Sequence, residues 1–407
     1  MITNNIFEIL NNQVFFASAV LLILGFLFSR AANKARLPRV TGYIIAGIII
    51  GPSLLSVLKE HSLNQLDFMS QFALGIIALI IGAGLSLNLI KRLGFRLLTI
   101  TLFESIGAFI LVSVLLKLFG MPLPAVLPLA AIAAATAPAA TVAVIREYRS
   151  SGPFTETTLA VVALDDAIAI TLFGLIMTLD VRHFASIGGA AVSSIYSSFI
   201  EIVACFFVGC VLALIAHILI KLTREVSDVI IVVLGIVFLS ITIASVVEIS
   251  PLLTNMFLGM IIINISAQNN EIIGNLEKMT PPLYCFFFVL AGAHLDFKVF
   301  ASVGAVLVMW GVVFVLARLA GKISGSYIGG ALSRSPDNIR RYLGLALAPQ
   351  AGVAIGLSLL ISRASGYFEF RSVILNITLM AVAINEIVGP LLTKYALFKA
   401  GEAESAE

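Results

Sequence analysis

Nine stretches of this chain, at 9–29, 40–58, 68–90, 118–145, 229–247, 249–270, 279–295, 299–317 and 342–362, contain no Asp, Glu, Lys or Arg. Each is about as long as the roughly 20 apolar residues with which a helix crosses a bilayer. Four further runs are interrupted only by acids: 97–116 by Glu104, 157–179 by Asp165 and Asp166, 184–220 by Glu201, and 372–393 by Glu386. The run 184–220 exceeds one span, and its membrane part is placed near 196–220. With 12% charged residues against the roughly 25% of soluble domains, a soluble enzyme is excluded. The pattern predicts an all-α polytopic membrane protein with 13 transmembrane helices.

Loop charge sets the expected orientation, because cytoplasmic loops retain Lys and Arg. With the N-terminus outside and the C-terminus in the cytoplasm, seventeen of the 25 basic residues lie in inside loops and six in outside loops. Arg318 and Lys322 remain, at the cytoplasmic end of the eleventh span. A net charge of +3 gives no nucleic-acid footprint. Glu8 precedes the first apolar run without a basic n-region or cleavage site, so that run is read as a retained span. Cys205, Cys210 and Cys285 sit in apolar stretches without metal-ligand spacing and read as small buried hydrophobes.

The chain also repeats itself. Ala137-Pro138-Ala139-Ala140-Thr141-Val142-Ala143 aligns with Ala348-Pro349-Gln350-Ala351-Gly352-Val353-Ala354 at an offset of 211. Gly82-Ala83-Gly84-Leu85 aligns with Gly292-Ala293-His294-Leu295 at an offset of 210, and Val162 through Asp166 with Val382 through Glu386 at 220. The matches relate the third span to the tenth, the fifth to the twelfth and the sixth to the thirteenth. A shift of seven spans is odd, so the copies have opposite orientations in the membrane. Inverted repeats with helices interrupted at matching places point to a secondary transporter with its site near the midplane.

The interruptions are Pro138 and Pro349. Proline removes a helical N–H and clashes with the preceding turn. In lipid the freed carbonyls are tolerated only where the backbone is buried or lines a cavity. A plain kink explains either proline alone; two at matching repeat positions point to broken helices that offer dipole ends and carbonyls to a cation. Thr136, Thr141 and Gln350 are the polar groups beside them. Asp165 and Asp166 lie at the centre of the sixth span, where a carboxylate costs several kcal/mol unless paired, hydrated or protonated. Such groups can alternate between holding protons and holding a cation. Neighbours on a helix point about 100° apart. One can therefore face a cavity while the other faces a base, supplied by Arg318 or Lys322, four residues apart on one helical face. The alternative for both bases is snorkelling to the interface. Glu386 reads as a structural ion-pair partner of Arg318. Glu104 and Glu201 have no evident partner in the sequence, and a lone His294 reads as structural.

These residues together resemble the monovalent cation:proton antiporter-2 family of bacterial sodium/proton and potassium/proton exchangers. The resemblance covers nearly the whole chain. It rests on Gly42-Tyr43-Ile44-Ile45-Ala46-Gly47 through Gly51-Pro52, the Thr136 to Thr141 break, Asp165-Asp166, and Phe286 through Gly292. Arg318 with Gly321-Lys322 and Gly325, the Ala348 to Gly352 break, and Glu386 through Pro390 complete it. The resemblance implies two inverted six-helix repeats with two broken crossing helices. It further implies scaffold and dimerisation helices over 1–96, core helices over 97–180, linker and scaffold helices over 181–297, core helices over 298–394 and a short cytoplasmic tail over 395–407. Members work as homodimers in the plasma (inner) membrane by an elevator-like motion of the core. By the same resemblance Asp166 carries the monovalent cation and the proton, and Asp165 pairs with Lys322. Two aspartates accompany electrogenic exchange. Many relatives carry a cytoplasmic nucleotide-binding regulatory domain; here only a short tail follows the last span.

The expected function is therefore sodium/proton antiport, with protons and Na⁺ (or Li⁺ or K⁺) competing for Asp166 and the Asp165/Lys322 pair, and with no cofactor. Potassium/proton exchange is the nearest alternative. A non-transporting sensor would lack coupled flux, and an intramembrane aspartyl protease needs two carboxylates converging on one water, which adjacent residues cannot provide.

Overall fold

The structure is a computed structural model that describes residues 13–52, 54–84, 87–178, 187–222, 226–265, 269–294, 304–363 and 369–404. The described residues form fifteen α-helices and no strand. In chain order these are α1 (Val14–Lys34), α2 (Arg39–Ile50), α3 (Glu60–Ala83), α4 (Leu87–Leu118), α5 (Leu123–Ala134), α6 (Pro138–Glu147), α7 (Pro153–Thr178) and α8 (Ile187–Leu222). There follow α9 (Val226–Val246), α10 (Pro251–Ile265), α11 (Asn269–Ala293), α12 (Ala305–Leu332), α13 (Asp337–Ala346), α14 (Gly352–Arg363) and α15 (Arg371–Ala400). Eight helical stretches among the described residues are long and apolar enough to cross a membrane, and α2 and α10 are shorter apolar helices. The boundaries expected at 180/181 and 297/298, and residues 405–407 of the tail, fall outside the described residues.

The chain divides into two compact units, one of residues 1–87 and 204–298, the other of 88–203 and 299–407. In the first unit helices approach closely wherever a glycine faces a neighbour, since small residues let membrane helices pack backbone to backbone. A Cβ on Gly42 would lie 2.6 Å from the Phe28 carbonyl oxygen, joining α1 to α2. Gly82 and Gly292, which the repeat relates, lie against the carbonyls of Met256 and Ile44. Phe72 and Phe238 stack at 4.3 Å to join α3 and α9. The cysteines form no disulfide, with Cys205 and Cys285 buried and Cys210 partly so. His294 lies 3.6 Å from Asp67 at the end of α11.

In the second unit both interrupted spans are broken outright. The first leaves helix after Ala134 and re-enters at Pro138, which sits at the first helical position of α6, where a missing N–H costs nothing. Ala135 and Ala137 between them are extended. The second break runs through residues 347–351, between α13 and α14. Its first half, α13, begins at Asp337, five residues ahead of the uncharged run, with Asp337 pairing Arg341 at 2.8 Å on an exposed face.

The charge-based boundary of the eleventh span needs correction. Helix α12 does not end near residue 317 but runs on to Leu332. Arg318 and Lys322 are therefore in its interior, 1% and 0% exposed, and neither snorkels to an interface. Glycines make this possible: Gly321, Gly325 and Gly329 form one stripe of α12 that lies on the α4 backbone at Ala108, Phe103 and Ile100. Gly107 of α4 completes the seam, 2.7 Å separating its would-be Cβ from the Gly321 carbonyl.

Candidate functional site

The α4–α12 seam brings together two charges 218 residues apart in the chain. With Gly325 against Phe103 and Glu104, the Lys322 ammonium lies 2.6 Å from the Glu104 carboxylate. Both side chains are fully buried. Lys322 also reaches Asp165 Oδ2 at 3.3 Å, donates to Thr136 Oγ1 at 2.9 Å, and donates to the Ala134 carbonyl. The amine therefore touches two carboxylates from different helices and the open backbone of the first break. Gly344 of α13 holds the other flank of α12, where a Cβ would lie 2.6 Å from the Lys322 carbonyl.

Arg318, one turn earlier, has a different task. Its Nε donates to the Ala133 carbonyl at 3.0 Å, Nη1 to Ala348 at 2.6 Å, and Nη2 to Ala135 at 2.8 Å and Pro349 at 3.2 Å. These are carbonyls left without intrahelical partners where α5 and α13 end, and they carry the negative end of each helix dipole. A planar guanidinium with five donors can serve both helix ends at once. The breaks also bond directly, Ala137 N–H to the Pro349 carbonyl at 2.9 Å.

The expected ion pair of Arg318 with Glu386 does not form. The guanidinium is spent on carbonyls, and both Glu386 oxygens are buried with no hydrogen-bond partner among the described residues. The second copy of the repeat is closed by amides: Asn385 Nδ2 donates to Gln350 Oε1 at 3.0 Å, and Gln350 Nε2 donates to the Ile132 carbonyl at 3.0 Å. Thr141 donates to the Ala346 carbonyl at 3.2 Å, joining α6 to the end of α13. Gly389 of α15 packs on Pro349, 2.7 Å separating its would-be Cβ from the proline Cα.

Asp165 and Asp166 are 0% and 1% exposed on α7. Lys322 engages Asp165 Oδ2 alone; Asp165 Oδ1 and both oxygens of Asp166 accept no well-formed hydrogen bond among the described residues, although Thr136 lies beside both acids. Three carboxylate oxygens thus lie open in an interior where an unpaired carboxylate is stable only with a proton or a cation on it. Glu104, Asp165 and Lys322 are the charges that act on Asp166. Three acids beside the two cations Lys322 and Arg318 still leave a deficit of positive charge that a proton or a cation can fill. Oxygen donors of this kind suit a hard cation.

Of the residues singled out in the sequence, Asp165, Thr136 and Lys322 meet directly. Asp166 adjoins them, and Pro138, Thr141, Pro349, Gln350 and Arg318 build the crossing that carries them. Sequence reasoning missed Glu104 and Asn385. Glu104 left a signal, as the lone acid of an otherwise uncharged run, but its partner is too distant in sequence for any spacing to reveal. Asn385 left none.

The sequence model of the transmembrane sodium/hydrogen exchanger family matches residues 17–399. The fold is similar to that of the sodium proton antiporter MjNhaP1 from Methanocaldococcus jannaschii at pH 8, with a TM-score of 0.72 and 18% identity over 97% of this chain and 99% of that one. An electron-microscopy structure of the same antiporter gives a TM-score of 0.70 and 19% identity over 95% of this chain and 94% of that one. No curated protein matches the chain by sequence.

Proposed function

Because the chain belongs to the transmembrane sodium/hydrogen exchanger family, a family of transporters, we propose that it is an electrogenic sodium/proton antiporter in which protons and Na⁺ compete for Asp166 and Asp165. The observation that carries this reading is the set of three open, buried carboxylate oxygens beside Lys322. With the site facing one side, Na⁺ takes the oxygens of Asp166 and the free oxygen of Asp165, and the protons leave. When the site faces the other side, protons return to the same atoms and the cation departs. A site that takes protons or cation, never both, couples the two fluxes.

Glu104 refines the part played by Lys322. A buried amine that lost Asp165 as its only partner would be left as an uncompensated charge, which costs several kcal/mol. At 2.6 Å, Glu104 keeps Lys322 paired while Asp165 turns to the cation. Two protons leave for each Na⁺, one from Asp166 and one from the Asp165/Lys322 pair while Glu104 holds the Lys322 charge, which makes exchange electrogenic. The unit of residues 88–203 and 299–407 carries every one of these groups and acts as the transport core, moving across the bilayer as a body in an elevator-type cycle. The other unit is the scaffold and supplies the homodimer contact. Basic-loop bias places the N-terminus outside and the C-terminus in the cytoplasm of a plasma membrane. The ions are the only ligands that exchange needs.

Purified protein in liposomes with an imposed pH gradient tests this, with Na⁺, Li⁺ or K⁺ added and the membrane potential clamped or free. Proton efflux driven by Na⁺ and accelerated by clamping the potential supports the reading. Exchange with K⁺ alone, or rates indifferent to potential, would overturn the ion or the electrogenicity respectively.

A further inference from the structure

Helix α7, which carries both aspartates, begins without a cap of its own. The residue before Pro153 is Gly152, which has no side chain to accept the first free N–H groups of the helix. The acceptor comes from beyond α15. Glu402 accepts the Phe154 N–H at 2.7 Å and the Thr155 N–H at 2.8 Å, and its Oε2 also accepts the Thr155 hydroxyl at 2.8 Å. The two amides are the second and third of the helix, the pair an N-cap residue serves.

The surrounding chain is shaped for this contact. Gly401 takes φ +76 and closes α15 with the paired bonds Glu402 N–H to Leu397 and Gly401 N–H to Phe398, so that the chain turns back toward α7. Gly152 takes φ +142, and a Cβ there would lie 2.5–2.8 Å from the Glu402 carboxylate. Backbone bonds from Ser151 N–H to the Glu402 carbonyl and from Glu404 N–H to the Tyr148 carbonyl hold the strap on both sides. Lys394 lies 4.8 Å above the Tyr148 ring. Tyr148 is where α6 ends, so one strap ties α15, the far end of the first break and the start of the acid-bearing helix.

We propose that Glu402 is a positioning residue for ion exchange: by capping α7 from the end of α15, it fixes the axial setting of Asp165 and Asp166 against Thr136 and Lys322. The inference rests on the antiport reading, since it assigns those acids the ions. A strap that only stabilised a helix end would change stability; one that sets the acids changes ion competition.

The test compares wild type, Glu402→Ala and Gly152→Ala in liposomes and by amide hydrogen exchange. Gly152→Ala displaces the carboxylate without removing it and also strains the backbone at φ +142, so effects common to both variants belong to the lost cap. Expected are loss of protection at Phe154 and Thr155, a rise of about five-fold in half-saturating Na⁺, a displaced pH profile, and a maximal rate changed less than about two-fold, the size of effect a lost cap of about 1 kcal/mol supports. Protection unchanged in Glu402→Ala would show that the strap is not docked. Protection lost with half-saturating Na⁺ and pH profile unchanged in both variants would show a cap with no bearing on exchange. Hydrogen exchange reads the strap without transport, so a wild type that moves no Na⁺ would count against the antiport reading and leave the docking result legible.

Discussion

The broken helices of the two repeat copies meet in one unit and carry opposite chemistry. In the first, Thr136 of the break and Asp165 of the following helix share Lys322, and three carboxylate oxygens stay open. In the second, Gln350 of the break and Asn385 of the following helix close on each other and on the Ile132 carbonyl. Asn385 aligns with Asp165, and Glu386 with Asp166. Glu386 is as buried as Asp166 and accepts no hydrogen bond among the described residues, yet Arg318 and Lys322 direct their donors to other groups. A broken helix with a buried acid is thus not sufficient for an exchange site. The first break differs in having the Lys322 amine of α12 and a second acid, Glu104, beside it, so that its carboxylates can be open without being isolated.

The sharpest way to break this comparison is to remove the two aligned acids in turn. Asp166→Asn should reduce pH-gradient-driven Na⁺ uptake in liposomes to the level of empty vesicles, whereas Glu386→Gln should retain at least about half the wild-type rate, being an isosteric change at a site with no ionic partner. Equal loss in both would make the two copies functionally equivalent and end the distinction drawn here.

A smaller effect is expected where the copies are joined. Arg318→Met leaves carbonyls of both helix ends without donors, and at about 1–3 kcal/mol for a buried acceptor left unsatisfied the change should destabilise the protein measurably. Thermal unfolding in detergent measures it. Arg318→Lys should recover only part of the loss, since one ammonium cannot span Ala133, Ala135 and Ala348. Full recovery would mean that charge alone, not the fork of donors, holds the breaks together.

Glu104→Gln tests the amine that serves the first break. Without the Glu104 charge, Lys322 turns wholly to Asp165, and Na⁺ must compete against a tighter pair. Half-saturating Na⁺ should rise about ten-fold, equivalent to about 1.4 kcal/mol. A fall instead would mean that Glu104 withholds Lys322 from the cycle rather than freeing Asp165.

Much of this arrangement was legible in the sequence because membrane spans make polar residues scarce. Asp165, Asp166, Pro138 and Pro349 stand out against apolar neighbours, and repeat alignment ties them to corresponding spans. Pairings were less legible. Arg318 lies four residues from Lys322 in a sequence that offers both the same partners, and what separates them is which carbonyls the chain leaves unbonded, a property of the broken crossing. Charge counting also misplaced the end of α12, because a burial that depends on Gly321, Gly325 and Gly329 facing α4 is a matter of contact between distant segments. Glu104 escaped for the same reason: a lone acid in an apolar run announces that it has a partner, and only packing names it.

The smallest predicted effect lies in the amide chain of the second copy. Asn385→Leu leaves Gln350 Oε1 buried without its donor, a cost of about 1–3 kcal/mol that should appear as a lower unfolding temperature. The Gln350 bond to Ile132 survives the change, so the break keeps its shape and half-saturating Na⁺ should move less than about two-fold. Asn385→Asp is the stricter variant, because it recreates in the second copy the residue that the first copy has at Asp165. If a carboxylate at that position sufficed to bind ions, this variant would shift the coupling of protons to Na⁺. With no Lys322 equivalent to hold its charge, it should instead lower stability further than leucine does and leave the coupling ratio where it was.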